Sequence, residues 1–271
     1  MSTSPIPPSP EGVPGAVLDP TAIATEDLTY PGAGGTAING YLARPASGEG
    51  QLPGMIVIHE AGGLGDHIRD VTRRFANLGY VALSVDLYTR EGGPPPMGDL
   101  PALMQRLFSM PDERILGDLE GAADLLRARR DVTGKIGCVG FCMGGRLTLL
   151  FACASDRLDA AADCWGGFID RSTPEERSTP ERPMPPLDLV ERLHCPLLVA
   201  IGAEDQNPSP ALGERLRERL AATPHETRVD VYEGAGHAFF ADYRPSYRPE
   251  PAALLWERIV PFFAAHLWDP A

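Results

Sequence analysis

The chain has 271 residues, of which 43% are hydrophobic, and this is enough apolar material for the core of a single α/β domain. Its net charge of −13 comes without a basic stripe, which excludes nucleic acid and anionic membrane surfaces as expected partners. No stretch approaches the roughly 18 apolar residues of a transmembrane helix.

The N-terminus and the cysteines indicate a compartment. The opening residues carry neither the charged region nor the apolar region of a secretory signal. The five cysteines are an odd number without zinc-like spacing. We therefore expect free thiols, a cytoplasmic protein, no metal and no other cofactor.

Residues 1–25 are rich in proline, serine and threonine, which predicts a flexible tail before a single domain at residues 26–271. Short apolar runs predict strands at residues 26–30, 37–44, 55–59, 80–85, 135–140, 160–165, 195–202 and 227–232. Helical spacing of apolar residues predicts helices at residues 66–78, 111–130, 146–152 and 249–267. This alternation predicts an α/β fold with a mostly parallel central sheet and helices on both faces.

Two segments interrupt the alternation. Residues 90–101 are rich in glycine and proline and are expected to form a loop. Residues 168–186 contain a short repeat, in which the six residues from Arg171 resemble the six from Arg177. This segment is either a surface excursion or a cap over a pocket, because loops after parallel strands line the sites of open α/β sheets.

The stretch from Gly140 to Gly145 lies between a predicted strand and a predicted helix. It has the G-x-S-x-G pattern of a nucleophile elbow, with Cys142 in place of the serine. In such an elbow the chain turns sharply, which requires glycines, and the central side chain stands exposed above the sheet. Cys142 is therefore the predicted nucleophile, and a buried cysteine in a glycine-rich turn is the alternative.

A nucleophile of this kind needs a base, and the base needs an acid that orients it. Asp205 follows one predicted strand, and His237 lies in a glycine-rich loop after the last one. Taken alone, Asp205 could be a helix N-cap and His237 a solvated loop histidine. Together with Cys142, they have the chain order of nucleophile, acid and histidine that α/β-hydrolases use.

His59 and Glu60 at the end of the third predicted strand invite comparison with the H-E-x-x-H zinc motif. The second histidine of that motif would occupy position 63, which is a glycine. Metal catalysis is therefore not expected, and Glu60 is either an exposed loop carboxylate or a part of the site.

These motifs resemble those of the dienelactone hydrolase family of α/β-hydrolases, the carboxymethylenebutenolidase-like proteins, over nearly the whole chain. The resemblance implies Cys142 as nucleophile, His237 as base and Asp205 as acid. It also implies that Glu60 contacts the resting thiol and that Arg90 helps to hold an anionic substrate. The residues that carry it are 57–60, 86–90, 140–145, 202–205 and 236–239.

The same resemblance makes two backbone N–H groups, those of Ala61 and Met143, the natural oxyanion donors, since each follows a strand that ends at the site. Trp165 ends another predicted strand near this edge of the sheet. It is either a wall of the substrate pocket or a core aromatic residue.

One position departs from the family pattern. Members that bind dienelactone carry a second carboxylate-binding arginine four residues after the catalytic histidine, where this chain has Ala241. Arg244 and Arg248 could take its place only if their loop folds back. We therefore expect neutral lactones or aryl esters to be cleaved at least as well as anionic ones.

The predicted function is hydrolysis of a small-molecule ester or lactone by a Cys-His-Asp triad through a thioester intermediate. His237 accepts the proton of Cys142, the thiolate attacks the carbonyl, and His237 then activates water. A general carboxylesterase or acyltransferase on the same site is one alternative, and a non-catalytic thiol redox protein is another. The sequence does not choose between a monomer and a homodimer.

Overall fold

The computed structural model describes residues 7–48, 50–96, 98–170 and 179–268. In these residues, eight strands form one sheet in the order β1-β2-β4-β3-β5-β6-β7-β8. Strands β3 to β8 run parallel, and β1 and β2 are antiparallel strands at one edge. The strands are β1 (Ile23–Pro31), β2 (Ala37–Pro45), β3 (Leu52–Ile58), β4 (Val81–Val85), β5 (Val132–Phe141), β6 (Ala160–Cys164), β7 (Leu197–Gly202) and β8 (Thr227–Tyr232).

Helices cover both faces of this sheet, so the predicted α/β class is confirmed. Helices α3, α4 and α5 pack on one face, and α1 and α6 pack on the other. None of the helices in the described ranges is both long and apolar enough to cross a membrane. The helices are α1 (Asp66–Asn77), α2 (Leu100–Ser109), α3 (Asp112–Arg127), α4 (Met143–Ala154), α5 (Pro210–Leu220) and α6 (Pro249–Leu267).

The central strands are apolar on both faces because helices cover both. In β3, Ile56 and Ile58 belong to the core on one face, whereas Met55 and Val57 belong to the core on the other. Parallel strands all end at the same edge of the sheet. The loops after β3, β5, β7 and β8 therefore meet there, and this brings distant parts of the chain to one site.

Helices α2 and α5 were not among the predicted elements. Each begins with a capping side chain followed by a proline, because Asp99 accepts the N–H of Ala102 at 3.0 Å and Ser209 accepts the N–H of Leu212 at 3.2 Å. Proline is well tolerated in the first turn of a helix. In the sequence the same prolines favour a loop, and only Leu107 of α2 is fully buried.

The N-terminal segment differs from the predicted tail. Residues 7–22 lie against the domain, with Val13 and Val17 buried. The hydroxyl of Ser9 donates to Asp70 at 2.6 Å and accepts the N–H of Val17 at 2.9 Å. Composition predicts disorder for segments that bury little apolar area, but here two valines and one serine find partners in the fold. Residues 1–6 of the predicted tail lie outside the described residues.

Replacing Ser9 by alanine should lower the free energy of unfolding by about 1–2 kcal/mol, because the buried N–H of Val17 loses its acceptor. Denaturant unfolding measures this difference. The matched control is Ser47→Ala, at an exposed position, which should change the stability by less than about 0.5 kcal/mol. Equal stability of both variants would show that residues 7–22 are not anchored through Ser9.

Candidate active site

Cys142 occupies a strained turn between β5 and α4, with a φ of 55°. Two close approaches explain the flanking glycines. A Cβ on Gly140 would lie 2.0 Å from the carbonyl oxygen of Gly144, and a Cβ on Gly144 would lie 2.3 Å from that of Ile58. The N–H of Cys142 donates to the carbonyl of Cys164 at 3.0 Å, which fixes the turn against β6. The thiol is half-buried at the carboxyl edge of the sheet.

Asp205 and His237 form a hydrogen-bonded pair at the same edge. The Nδ1 atom of His237 lies 2.8 Å from Oδ2 of Asp205. The other carboxylate oxygen, Oδ1, accepts the N–H of Asn207 at 3.0 Å, so the buried carboxylate cannot rotate freely. Because Asp205 engages Nδ1, the opposite ring nitrogen is the one available to a reacting group.

The environment of His237 favours its protonated form. Burial lowers the pKa of the ring, but the hydrogen bonds with Asp205 and Cys142 and the charges of both groups outweigh this and raise the pKa to about 10. An imidazolium between a carboxylate and a sulfur atom is the arrangement that stabilises a thiolate.

A cavity of about 330 Å³ lies over these three side chains. Its walls are mostly apolar and come largely from α2 and the loop after β6. Three arginine side chains and Asn207 contribute the remaining polar groups. The lining residues are Ala61, Leu100, Leu103, Met104, Leu107, Cys142, Met143, Arg146, Gly167, Phe168, Arg182, Asp205, Asn207, His237 and Arg244.

Ala61 and Met143, the predicted oxyanion residues, both line this cavity. Met143 is the first residue of α4, where a backbone N–H has no partner within the helix and the helix dipole is positive. Ala61 follows β3, and its carbonyl accepts a hydrogen bond from the buried hydroxyl of Tyr88 at 3.2 Å. The structure thus brings both residues next to Cys142.

The hydrogen-bond partners of Glu60 lie on the loop after His237. Its Oε1 atom accepts hydrogen bonds from the hydroxyl of Tyr243 and from Arg244, the latter at 2.8 Å. No hydrogen bond joins Glu60 to Cys142 in the described part of the chain. Tyr243 and Arg244 therefore hold the carboxylate in place through hydrogen bonds.

The loop after His237 folds back onto the domain and brings Arg244 to the cavity wall. Asp242 anchors the loop through His67, at 3.2 Å, and through Arg74. Arg248 stays outside, where it donates to the backbone carbonyls of Pro245 and Tyr247. Of the two arginines considered as replacements for the residue at position 241, only Arg244 reaches the site.

Arg90 does not line this cavity, although the resemblance implies that it helps to hold an anionic substrate. Its guanidinium forms two hydrogen bonds with Asp118 on α3, one of them at 2.9 Å, and a third with the carbonyl of Ala33 at 3.0 Å. The short helical turn at Thr89–Glu91 directs the side chain toward the β1–β2 connection. A position after a strand end does not by itself fix the direction in which a side chain points.

Trp165 lies in the core, as the second of its two interpretations predicts. It is 1% exposed and does not line the cavity. Its ring packs 4.8 Å from that of Phe239 and 5.6 Å from that of Phe141. The backbone of Trp165 has a φ of 47°, in the left-handed region.

Three parts of the site were missed at the sequence level, namely the α2 wall, Arg146 and Arg182. Arg146 is buried in the first turns of α4 and forms a paired contact with Asp112 at 2.7 and 2.9 Å. Its position four residues after Cys142 could have suggested it. Arg182 lies in the 168–186 segment, whose residues 171–178 fall outside the described ranges.

The remaining cysteines, Cys138, Cys153, Cys164 and Cys195, are buried free thiols. Burial raises the pKa of Cys138 and of Cys153 to about 12, which makes both thiols unreactive at neutral pH. Among the described residues, no three side chains of the metal-binding types cluster closely enough to hold an ion.

The sheet, the elbow and the Asp–His pair define an α/β-hydrolase. The sequence profile of the dienelactone hydrolase family matches residues 38–267. The chain therefore belongs to the dienelactone hydrolase family, and it is a hydrolase of the class that acts on esters or lactones.

Individual proteins agree with this membership. A Salmonella typhimurium protein named "Putative carboxymethylenebutenolidase" is 34% identical over 256 residues, which cover 92% of this chain and 93% of that protein. A protein of the same name from Escherichia coli K12 is 36% identical over 82% of this chain and 80% of its own length. The crystal structure of a "Putative Dienelactone Hydrolase" from Klebsiella pneumoniae has a TM-score of 0.83 and 35% identity, and the match covers 90% of this chain and 99% of that one.

Replacing Arg90 by glutamine should destabilise the fold without impairing catalysis. The carboxylate of Asp118 is 1% exposed and would lose its counter-charge, which costs about 3 kcal/mol. Arg228→Gln, which breaks a more exposed pair with Asp230, is the control and should cost less than about 1 kcal/mol. Unfolding free energies and kcat/KM for an aryl ester would be compared. A selective loss of kcat/KM with unchanged stability would return Arg90 to the site.

Proposed function

We propose that the chain hydrolyses a lactone or an activated ester of a small molecule, with Cys142 as nucleophile, His237 as acid and base, and Asp205 as the orienting carboxylate. The observation that carries the proposal is the 2.8 Å contact between Asp205 and His237 beside a cysteine held on a strained elbow. All three side chains line one cavity, which gives a substrate carbonyl access to the sulfur atom.

In the first step, the Cys142 thiolate forms a bond to the carbonyl carbon. The negative charge that develops on the carbonyl oxygen is stabilised by the N–H groups of Met143 and Ala61. When the C–O bond breaks, the leaving alkoxide takes a proton from His237. A lactone is thereby opened to a hydroxyl group, and its acyl carbon is held as a thioester.

In the second step, the neutral His237 takes a proton from water as the water oxygen attacks the thioester carbon. The C–S bond then breaks, the carboxylic acid is released, and the thiolate and imidazolium are restored. Asp205 keeps the ring in one orientation throughout. Because the raised pKa of His237 favours the imidazolium, the resting enzyme already holds the proton that the leaving group needs.

The chemistry of the nucleophile limits the classes of substrate that we expect. A thiolate is a good leaving group, so the first intermediate favours return to substrate unless the alkoxide is also a good leaving group. Lactones and enol or aryl esters meet this condition better than amides do. The name carboxymethylenebutenolidase of the similar Salmonella and Escherichia coli proteins points to a lactone as well.

We also propose that the 168–186 segment acts as a cap. Its described flanks contribute Phe168 and Arg182 to the cavity wall. The ring of Phe168 packs against that of Phe108 on α2 at 5.1 Å, so the described start of the segment lies against α2 beside the cavity. A cover of this kind excludes water from the thioester until the leaving group has departed.

Cys142→Ala should abolish hydrolysis of 4-nitrophenyl acetate and of dihydrocoumarin while the protein stays folded, because no other group can form the thioester. Cys142→Ser should retain a small fraction of the rate, since the base, acid and oxyanion donors persist. Cys153→Ala, at a buried thiol remote from the cavity, is the control and should keep the rate. Full activity of Cys142→Ala would refute the mechanism.

The rate should stay level through neutral pH and fall above about pH 10, where His237 loses the proton that it gives to the leaving group. The rate falls on the alkaline side because a raised pKa keeps His237 in its imidazolium form up to a higher pH. Asp205→Asn removes the main group that raises this pKa, so the alkaline limb should move to lower pH. Profiles of kcat/KM against pH for both proteins give the comparison. An unshifted limb would show that Asp205 does not govern the ring.

A further inference from the structure

The imidazole of His59 is fully buried where β3 ends, two residues before Ala61. Its two nitrogen atoms join the ends of neighbouring strands. The Nδ1 atom lies 2.7 Å from the carbonyl oxygen of Glu60, and the Nε2 atom lies 3.2 Å from the backbone nitrogen of Leu87, which follows β4. The ring therefore connects the loop after β3 to the loop after β4.

The partners of the His59 ring fix its tautomer. The backbone N–H of Leu87 can only donate, so Nε2 is the acceptor and carries no proton. Nδ1 therefore carries the proton and donates it to the carbonyl of Glu60, which can only accept. Burial lowers the pKa of His59 and outweighs the opposing effects of Glu60 and Asp86, so the ring is neutral at pH 7.

The carbonyl that His59 holds belongs to the same peptide group as the N–H of Ala61. This peptide is trans, so its carbonyl and its N–H point in opposite directions, and a fixed carbonyl sets the direction of the N–H. The N–H of Gly63 donates to the same carbonyl at 3.0 Å. The buried hydroxyl of Tyr88 holds the next carbonyl, that of Ala61, at 3.2 Å. Both peptide groups that flank Ala61 are thus fixed.

The N–H of Ala61 itself remains open to a ligand. Within the described ranges it donates to no backbone or side-chain acceptor, although Ala61 is buried and lines the cavity beside Cys142. Buried N–H groups in folded proteins are almost always paired, so an N–H kept free at a cavity wall is a place for an oxygen atom of a ligand. The hydrogen bond from His59 also polarises the peptide group, which makes this N–H a stronger donor.

We propose that His59 is a positioning residue for hydrolysis, which holds the peptide group between Glu60 and Ala61 so that the Ala61 N–H meets the oxyanion of the tetrahedral intermediate. The proposal rests on the proposed function, in which this N–H stabilises that charge. His59 does not line the cavity, so it acts through the backbone and not on the substrate. The ring of Tyr88, centred 5.2 Å from that of His59, packs against the imidazole and restricts its rotation.

The test compares one variant that loses the donor with one that keeps it. His59→Leu fills most of the space of the ring but cannot donate, whereas His59→Asn retains an N–H near the position of Nδ1. Stopped-flow release of 4-nitrophenolate from 4-nitrophenyl acetate measures acylation, the step in which the oxyanion first forms. His59→Leu should lower the limiting rate constant by about 10- to 100-fold and change the half-saturating concentration by less than about threefold. His59→Asn should lose less than about fivefold.

Three controls distinguish this role from packing. Packing alone predicts the opposite order, because leucine suits an apolar space better than asparagine does. Alkylation of Cys142 by iodoacetamide needs the thiolate but forms no oxyanion, so its rate should change by less than about twofold in both variants. Thr72→Val, which removes a fully buried hydrogen bond to the carbonyl of Ile68, should keep nearly the wild-type acylation rate.

Three results would each overturn the proposal. They are a wild-type acylation rate in His59→Leu, equal losses in His59→Leu and His59→Asn, and alkylation of Cys142 that slows in parallel with acylation. If His59→Leu does not fold, His59→Met gives the same comparison, because its flexible side chain adapts to the space and also lacks the donor.

A measurement on the resting protein separates this proposal from the proposed function. Glu60 and Ala61 form the one Glu-Ala pair in the sequence, so carbonyl-¹³C glutamate combined with ¹⁵N alanine labels a single peptide group for NMR. The carbonyl resonance should move upfield in His59→Leu, which loses the hydrogen bond, and stay in place in Thr72→Val. If Cys142→Ala still hydrolyses the ester, the function assigned to Cys142 fails, and the resonance alone decides whether His59 holds the peptide group. If Cys142→Ala is inactive and the resonance does not move, the function stands and the role of His59 is refuted.

Discussion

The close approach of α4 to β3 is the constraint on which the rest of the site depends. The carbonyl of Ile58 lies where a side chain on Gly144 would be, so the first turn of α4 can rest directly on the end of the strand. This contact holds Cys142 in a backbone conformation that few residues with a side chain adopt. The strain is stored where the fold is most tightly packed, between two strands buried on both faces, and this is why a single thiol can be held at a fixed height above the sheet.

Charge is distributed around the cavity in a definite pattern. Glu60 and Asp112 each neutralise one arginine of the wall, and Asp205 is committed to His237. Each acid thus has a basic partner before substrate arrives. The carboxylates therefore need little reorganisation during the reaction, which is what electrostatic preorganisation requires.

Much of the fold follows from periodicity. The last strand and the last helix have the predicted bounds, 227–232 and 249–267. Valines and a tyrosine mark the strand, and apolar residues at helical spacing mark the helix. Helices α2 and α5 escape prediction because each has a proline in its first turn, which favours a loop in the sequence. The packed N-terminal segment escapes prediction because a few anchoring contacts outweigh a composition that is typical of disorder. Elements with a strong local periodicity can be predicted from the sequence, whereas segments held by a few tertiary contacts cannot.

The residues of the site also fall into a group that the sequence predicts and a group that it does not. Cys142, Asp205 and His237 sit in short motifs directly after strands, so sheet topology alone brings them together. Arg90 also follows a strand, but a buried partner on α3 attracts it elsewhere. Glu60 and Arg182 depend on which loop folds over which, and Trp165 depends on its contacts with Phe141 and Phe239. Such choices are settled by long-range packing and charge, which a single sequence does not display.

The weak attachment of α2 has a consequence for how ligands enter and leave the cavity. This helix forms one side of the cavity, yet only Leu107 is fully buried, and Leu100 at its start stands 64% exposed. Because few of its side chains are buried, we expect its free energy of local opening to be lower than that of global unfolding. The molecule therefore combines an elbow that the sheet holds rigidly with a loosely attached wall beside the cavity, through which a ligand can enter and leave.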